Sequence, residues 1–171
     1  NLMSPTPTII PDPITYINEI RALARLETIQ YSVEKVITGE TGGGTFATFF
    51  GDKILFVGHG TVIAGIDMEK LAPENMRYEN GVLSVQLPPT EIFIATLDNE
   101  KSYVYDRQTG VLTKPDPNLE TLVRQKAEEE ILKAALEDGI LNQAQINAET
   151  YLFKFFAALG FPNTIFLDNP N

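Results

Sequence analysis

The chain has 171 residues, of which 43% are hydrophobic and 21% are charged, the proportions of an ordinary globular domain. Its length suits a single domain with a core large enough to be stable without cross-links. The net charge of −10 disfavours nucleic acid as a partner, because phosphate groups would repel an acidic surface. The sequence contains no cysteine, which excludes disulfides, zinc–thiolate sites and thiol chemistry.

Residues 1–13, NLMSPTPTIIPDP, are rich in proline and threonine, a composition typical of an extended linker. The chain starts with Asn1 rather than methionine, so we expect a native signal or anchor to precede this segment. A processed or arbitrarily cut terminus is the alternative. No apolar run reaches the roughly 20 residues that a membrane-spanning helix needs, so attachment to a membrane would depend on that anchor. We predict a linker over residues 1–13 and one domain over residues 14–171.

The first elements are a helix and a strand. Asp12-Pro13 is a helix start signal, and apolar residues recur at helical spacing as far as Ala24. From residue 29 to residue 34 apolar and polar residues alternate, which predicts a half-buried strand. Residues 38–45, TGETGGGT, predict a loop.

The middle of the chain is dense strand-forming sequence. Residues 53–66 are apolar on both faces, so we expect a central strand that is covered on both sides. Gly58-His59-Gly60 interrupts it and predicts a bulge, a kink or a turn. Asn80-Gly81 is a strong hairpin signal, because both residues suit the positive φ values of a type I′ turn. Further extended segments follow at residues 92–97 and 103–105, with a turn at residues 106–110.

The last third of the chain is helical. Asp116-Pro117 repeats the start signal, and apolar residues then form a stripe at i, i+4 up to Ala135. Asn142 with Gln145 resembles a capping box for a second helix, which ends at Gly160. A closing strand is expected at residues 165–167. The fold class is therefore α+β: an antiparallel-rich sheet over residues 27–112, packed by one N-terminal and two C-terminal helices.

His59 is the sole histidine of the chain and is the first candidate catalytic residue. A general base needs a carboxylate partner and a nearby nucleophile, and the sequence contains no G-x-S-x-G element to supply a serine. A hydrolase-like enzyme that uses His59 and Asp67 is one hypothesis. A structural role for His59 is the favoured interpretation, with Asp67 as an ordinary surface carboxylate.

Three further features have a functional and a structural interpretation. The glycines of residues 42–44 could cradle a phosphate, but the lysine of a P-loop is missing, so the mobile tip of a hairpin is favoured. The carboxylate pairs at residues 67–69 and 98–100 lack the spacing of a calcium loop, so solvated turns are favoured over a metal site. The last helix has apolar side chains on more than one side: Leu152, Phe153, Phe155 and Phe156. Some of them could form an oligomer contact or line an apolar pocket, but complete burial between the sheet and the neighbouring helix is favoured.

Five parts of the chain carry a resemblance when they are taken in order: residues 21–29, 61–67, 87–92, 102–110 and the alanine-rich helices that end at residues 158–160. Together they resemble a bacterial family known as domain-of-unknown-function family 4230. The resemblance covers residues 14–167, nearly the whole chain. Proteins of this family usually carry an N-terminal membrane anchor, and the resemblance implies no established activity, so no residue inherits a catalytic role from it.

These observations support a first hypothesis about function. We expect a non-catalytic, extracytoplasmic domain, tethered to a membrane, that serves in assembly or ligand binding. Its partner would be a protein or a second copy of the chain, and we expect no cofactor and no metal. The alternatives are the hydrolase-like enzyme with His59 and a carrier of apolar ligands, which would need a pocket between the sheet and the C-terminal helices.

Overall fold

The computed structural model describes residues 17–169, so the predicted helix start at Asp12-Pro13 and the linker over residues 1–13 lie outside the described residues. The helices and strands fall into the predicted α+β class, with one short N-terminal helix and two long C-terminal helices. In chain order they are α1 Ile17–Arg21, β1 Arg25–Thr41, α2 Ala47–Phe50, β2 Asp52–Asp67, β3 Met76–Glu79, β4 Val82–Val85, β5 Thr90–Leu97, β6 Tyr103–Thr109, α3 Leu119–Glu137, α4 Ile140–Ala158 and β7 Thr164–Phe166.

The main sheet is built around β2, which pairs antiparallel with β1 from Asp52 to Asp67. The other edge of β2 is shared by two strands: β6 pairs with residues 52–57 and β5 with residues 60–66. At roughly 3.3 Å per residue, the 16 residues of β2 extend over about 50 Å. The prediction of a central strand is therefore confirmed.

A second, smaller sheet contains β3, β4 and β7. The hairpin predicted at Asn80-Gly81 joins β3 to β4, and both residues have positive φ values, 50° and 79°. β7 lies parallel to β4, so the expected closing strand is confirmed.

Both long helices pack on one face of the main sheet. The predicted i, i+4 stripe of α3 is buried, and it meets the side chains of alternate β2 residues. The side chains that fill the space between sheet and helices include Ile54, Phe56, Val62, Ala64, Val123, Ala127, Ile131, Ile140 and Ala144. These side chains fill the space beneath the centre of the sheet. At the edge of the sheet an open groove of about 620 Å³ lies between β1 and the C-terminal end of α3, lined by residues such as Tyr31 and Ala135.

The expectation of an interruption at Gly58-His59-Gly60 is wrong for the β1 side of β2. The pairing with β1 runs through these residues without a register shift. The two glycines instead allow α3 to approach: a Cβ on Gly60 would lie 2.7 Å from Ile131 Cδ1, and one on Gly58 3.0 Å from Ala127 Cβ. On the other side, the two residues Gly58 and His59 mark the place where the partner of β2 changes from β6 to β5.

The expectation that β2 is covered on both sides is also corrected. The two long helices lie on the face that bears Ile54 and Phe56, while the alternate residues from Leu55 to Ile63 are mostly half-buried. We call this second side the open face. It is formed by Lys53, Leu55, Val57, His59, Thr61, Ile63 and their cross-strand neighbours.

Several local predictions differ from the structure because tertiary pairing overrides local signals. β1 continues to Thr41 and β6 to Thr109, since each remains paired with β2 into the first half of the predicted loop at residues 38–45 and over most of the predicted turn at residues 106–110. Residues 42–45 lie outside any strand, so that part of the loop prediction is correct. α3 begins two residues after Pro117, with the Asp116 carboxylate accepting the N–H of Asn118.

The predicted capping box is wrong as well. α4 begins at Ile140, after Gly139 in a left-handed conformation (φ 83°), so Asn142 and Gln145 lie inside the helix. A glycine at this position reverses the chain direction between α3 and α4 without the steric cost that a side chain would add. No helix within residues 17–169 is long and apolar enough to cross a membrane.

Candidate functional site

The centre of the open face is an apolar row that crosses three strands. Val36 of β1 lies opposite Val57 of β2, and Val57 lies opposite Tyr103 of β6. Val57 is 7% exposed, while the flanking Val36 and Tyr103 are 58% and 48% exposed. Solvent-facing positions of an antiparallel sheet are usually polar, so an apolar row at the middle of this face is the kind of surface that binds another molecule.

A polar row lies next to the apolar one. His59 is the cross-strand partner of Glu34, and its Nε2 atom is 3.3 Å from Glu34 Oε2. Both side chains reach solvent, at 32% and 59% exposure. A shallow cavity of about 130 Å³ surrounds the pair and is also lined by Asp98 and Lys101. The carboxylate that His59 meets is therefore Glu34.

The candidate pair His59 and Asp67 is not brought together. The two residues lie eight positions apart on the same strand, which separates their backbones by about 26 Å. The Asp67 carboxylate accepts the N–H of Glu69 and so caps the short 3₁₀ turn that follows β2. This contact agrees with the structural interpretation of the carboxylate pair at residues 67–69.

Ser102 lies at the point along β2 where the paired strand changes from β6 to β5. Its hydroxyl accepts the N–H of His59 at 2.9 Å and donates to the carbonyl of Asp98 at 2.6 Å. At 6% exposure, Ser102 is a buried link between backbone segments. The Asp98 carboxylate accepts the N–H groups of Glu100 and Lys101, so this second carboxylate pair also closes a turn. Within residues 17–169 no group of three or more His, Cys, Asp or Glu side chains could hold a metal ion.

A second exposed apolar region, which we call the tip, lies at one end of the main sheet. It consists of residues 42–50, which connect β1 to β2, and residues 110–112, which follow β6. Two backbone hydrogen bonds join the segments, from Gly110 N–H to the Gly51 carbonyl and from Leu112 N–H to the Phe49 carbonyl. Its large exposed side chains are Phe46 (66%), Phe49 (47%), Phe50 (54%), Val111 (80%) and Leu112 (65%).

The glycines of the tip stand out in the sequence, whereas the exposure of its phenylalanines was not predicted. The structure agrees with the hairpin interpretation of residues 42–44, since they lie between two paired strands. The available signal was the run TFATFFG, residues 45–51, which is apolar and uncharged directly after a glycine loop. Such a run in a connection is unusual enough to suggest a contact surface.

Asp52 lies directly below the tip, and the pKa of its carboxyl group is strongly lowered. It is 2% exposed and accepts hydrogen bonds from both Arg107 Nε and Nη2, at 3.2 and 2.7 Å. Thr109 Oγ1 and the N–H of Asp116 donate to it as well. The Arg107 hydrogen bonds are the largest cause that lowers the pKa of Asp52 to about 2, against the opposing effect of burial.

This arrangement makes Asp52 a structural anchor. It connects the first residue of β2 to β6 and to the segment that leads into α3. Beside it a cavity of about 410 Å³ opens toward the tip, lined mainly by polar and small residues such as Thr48 and Gln108. Because four donors already occupy the carboxylate, Asp52 is held as an anion and is not poised to exchange a proton near neutral pH.

The aromatic residues of α4 divide between core and surface. Leu152 and Phe156 are fully buried, whereas Phe153 is 45% exposed. Phe155 is half-buried and stacks on the exposed Tyr151 at 6.3 Å between ring centroids. The favoured expectation of complete burial is therefore wrong, because one helix face cannot turn all of these side chains toward the sheet.

A search of curated proteins found no match to this chain, and a search of solved structures found none either. A family model described as "Protein of unknown function (DUF4230)" matches residues 18–165. The matched region runs from α1 into β7, so it includes both sheets, both long helices, the open face and the tip. The chain therefore belongs to the DUF4230 family of proteins of unknown function.

Proposed function

We propose that this domain is a non-catalytic assembly domain that docks a protein partner, or a second copy of itself, through the open face. The observation that carries the proposal is the apolar row formed by Val36, Val57 and Tyr103. These residues are cross-strand neighbours, so they lie in one row, in which Val36 and Tyr103 are the exposed members and Val57 lies between them.

The surroundings of this row resemble the organisation of a protein interface. Interfaces combine an apolar centre, enriched in aromatic residues, with a polar rim. Here Tyr103 supplies the aromatic group, and the charged pair Glu34–His59 lies one row away. Tyr105, which is 68% exposed, extends the apolar area along β6.

The two alternative functions have less support. The enzyme hypothesis is supported by the carboxylate of Glu34, which lies beside His59. However, the nearby hydroxyl of Ser102, which would be the candidate nucleophile, is buried and hydrogen-bonded to backbone groups. The carrier hypothesis requires an enclosed apolar cavity between the sheet and the C-terminal helices. Fully buried side chains such as Phe56 and Ile131 fill the centre of that space, and the groove between β1 and the end of α3 is open to solvent and lined mainly by polar groups.

The proposal also includes a location. The domain would lie outside the cytoplasm, attached to a membrane by an anchor that precedes the linker-like residues 1–13. The support for this part is the proline- and threonine-rich composition of that segment.

The experiment compares Val36→Glu with Gln108→Glu. Both add one negative charge to the open face, but only Val36 belongs to the apolar row. We expect the wild-type domain to self-associate in light-scattering measurements across a concentration series, or to capture a partner from native membranes. Val36→Glu should abolish this behaviour, and Gln108→Glu should retain it. A strictly monomeric wild-type domain that captures no partner and no ligand would contradict the proposal.

A further inference from the structure

The tip is chemically unlike the rest of this acidic protein. In residues 41–51 and 108–115 the one charged side chain is Lys114. At the chain's average of 21% charged residues, these nineteen positions would carry about four charges. All described side chains from residue 42 to residue 50 are exposed, so this lack of charge belongs to surface, not to core.

From these features we propose that the tip inserts into the interfacial region of a lipid bilayer. The transfer of phenylalanine, valine and leucine side chains from water to the boundary between headgroups and acyl chains is favourable. Lys114 is compatible with this position, because its apolar stem can lie along the membrane while its ammonium group stays in water. The exposed Glu40 and Lys53, which share a cavity with Gly43 and Thr48, would lie at the water-facing base of the tip. The remaining acidic surface would face away from the membrane.

The size and chemistry of the tip favour lipid over protein as the occupant. Its five large apolar side chains expose on the order of 500 Å², whereas a standard protein interface buries about 800 Å² on each partner. Phenylalanine, valine and leucine side chains also offer no hydrogen bond to fix an orientation. Insertion into a bilayer requires neither a complementary shape nor directional contacts, so the apolar side chains of the tip are sufficient for it.

The scaffold below the tip can hold it in place during insertion. The Asp52–Arg107 pair and the hydrogen bond from Gly110 to Gly51 connect both tip segments to the end of the main sheet. The exposed phenylalanines Phe46, Phe49 and Phe50 belong to neither core cluster. Substitutions at these positions should therefore leave the fold intact.

A fluorescence experiment provides the first test. The chain contains no tryptophan, so Phe49→Trp introduces a single reporter at the tip. With vesicles of phosphatidylcholine, alone or with a minority of phosphatidylglycerol, we expect a blue shift of its emission and quenching by brominated acyl chains. Phe153→Trp, at a position of nearly equal exposure on α4, should show neither change. Equal spectra with and without vesicles for Phe49→Trp would overturn the proposal.

Vesicle flotation provides the second test. The triple variant Phe46→Ser, Phe49→Ser and Phe50→Ser should lower the partition coefficient at least tenfold, while Phe153→Ser should match the wild type. Because the contact is apolar, binding should persist at high salt. The lipid proposal is wrong if the wild type fails to float. It is also wrong if the triple substitution changes the oligomeric state but not flotation, and that outcome would assign the tip to a protein contact. Val36→Glu, which tests the open face, should float like the wild type, so the two proposals fail independently.

Discussion

The two faces of β2 differ in what covers them. On the covered face Ile54, Phe56 and Val62 are fully buried beneath α3 and α4. On the open face Val57 lies between the exposed Val36 and Tyr103. The strand period of two residues assigns neighbouring positions to opposite faces, so adjacent residues lie in different environments. The covered face holds the fold together, and the open face leaves apolar side chains at the surface.

The largest difference should appear when an aromatic residue is removed from each face. Phe56→Ala should cost about 3–5 kcal/mol of unfolding free energy, because it leaves a cavity in the core and removes the ring over which the Arg124 guanidinium lies at 4.8 Å. Tyr103→Ala should cost at most about 1 kcal/mol, since the side chain is 48% exposed. Urea unfolding of both variants measures the difference. Similar costs would mean that the open face is covered in the folded protein.

The second comparison concerns two glycines. Gly60→Ala should destabilise the domain by about 3 kcal/mol, the upper end for overpacking, because the new Cβ would meet the Thr96 carbonyl as well as Ile131. Gly43→Ala at the tip meets no atom within 4 Å, and it should be neutral or stabilising by up to about 1 kcal/mol. Thermal and urea unfolding give both values. A harmless Gly60→Ala would show that α3 does not need to pack so closely on β2.

The third comparison uses acid to test a buried charge on β2. The pKa of Asp52 is lowered from 3.8 to about 2 in the folded state, so its ionised form contributes about 2 kcal/mol of stability. That contribution is complete above pH 3.8 and is lost as the pH falls through about 2. Unfolding measured across this range should show a steep loss of stability for the wild type. Asp52→Asn, which cannot titrate, should be less stable at neutral pH and show a shallower decline, and equal slopes would contradict the structural role of the carboxylate.

The smallest effect is expected for the charged pair on the open face. His59→Gln should change the unfolding free energy by no more than about 1 kcal/mol, because the pair with Glu34 is exposed to solvent. Glu34→Gln should have a similarly small effect and serves as the matched variant. Urea unfolding at low and high salt measures both, and a loss well above this size would indicate that His59 takes part in a structural network.

The sequence was sufficient to predict elements whose signals are local. The Asn80-Gly81 hairpin and the α3 stripe were both correct, because turn chemistry and helical periodicity depend on neighbouring residues. The predicted C-terminal ends of β1 and β6 were wrong. Pairing with β2 keeps the polar residues at the end of each strand in an extended conformation. His59 was recognised as unusual, but its partner Glu34 lies 25 positions earlier in the chain and is brought near only by strand register.

The candidate surfaces show the same division. The Gly-rich connection at residues 42–44 was identified from sequence, while the exposure of Phe46, Phe49 and Phe50 was not, because an apolar run by itself does not reveal whether it faces a core or solvent. Val36, Val57 and Tyr103 each fit an ordinary strand pattern. Their common row depends on the register of three strands.

By itself, the sequence determined that this protein is a single acidic α+β chain without cysteine chemistry, and it contained the ordered segments that resemble the DUF4230 family. Composition and local periodicity are properties of neighbouring residues, so they can be read without coordinates. Only the tertiary structure decided which apolar residues remain at the surface. That choice depends on which face of β2 the two long helices cover, and it follows from the summed packing of distant segments rather than from any local pattern.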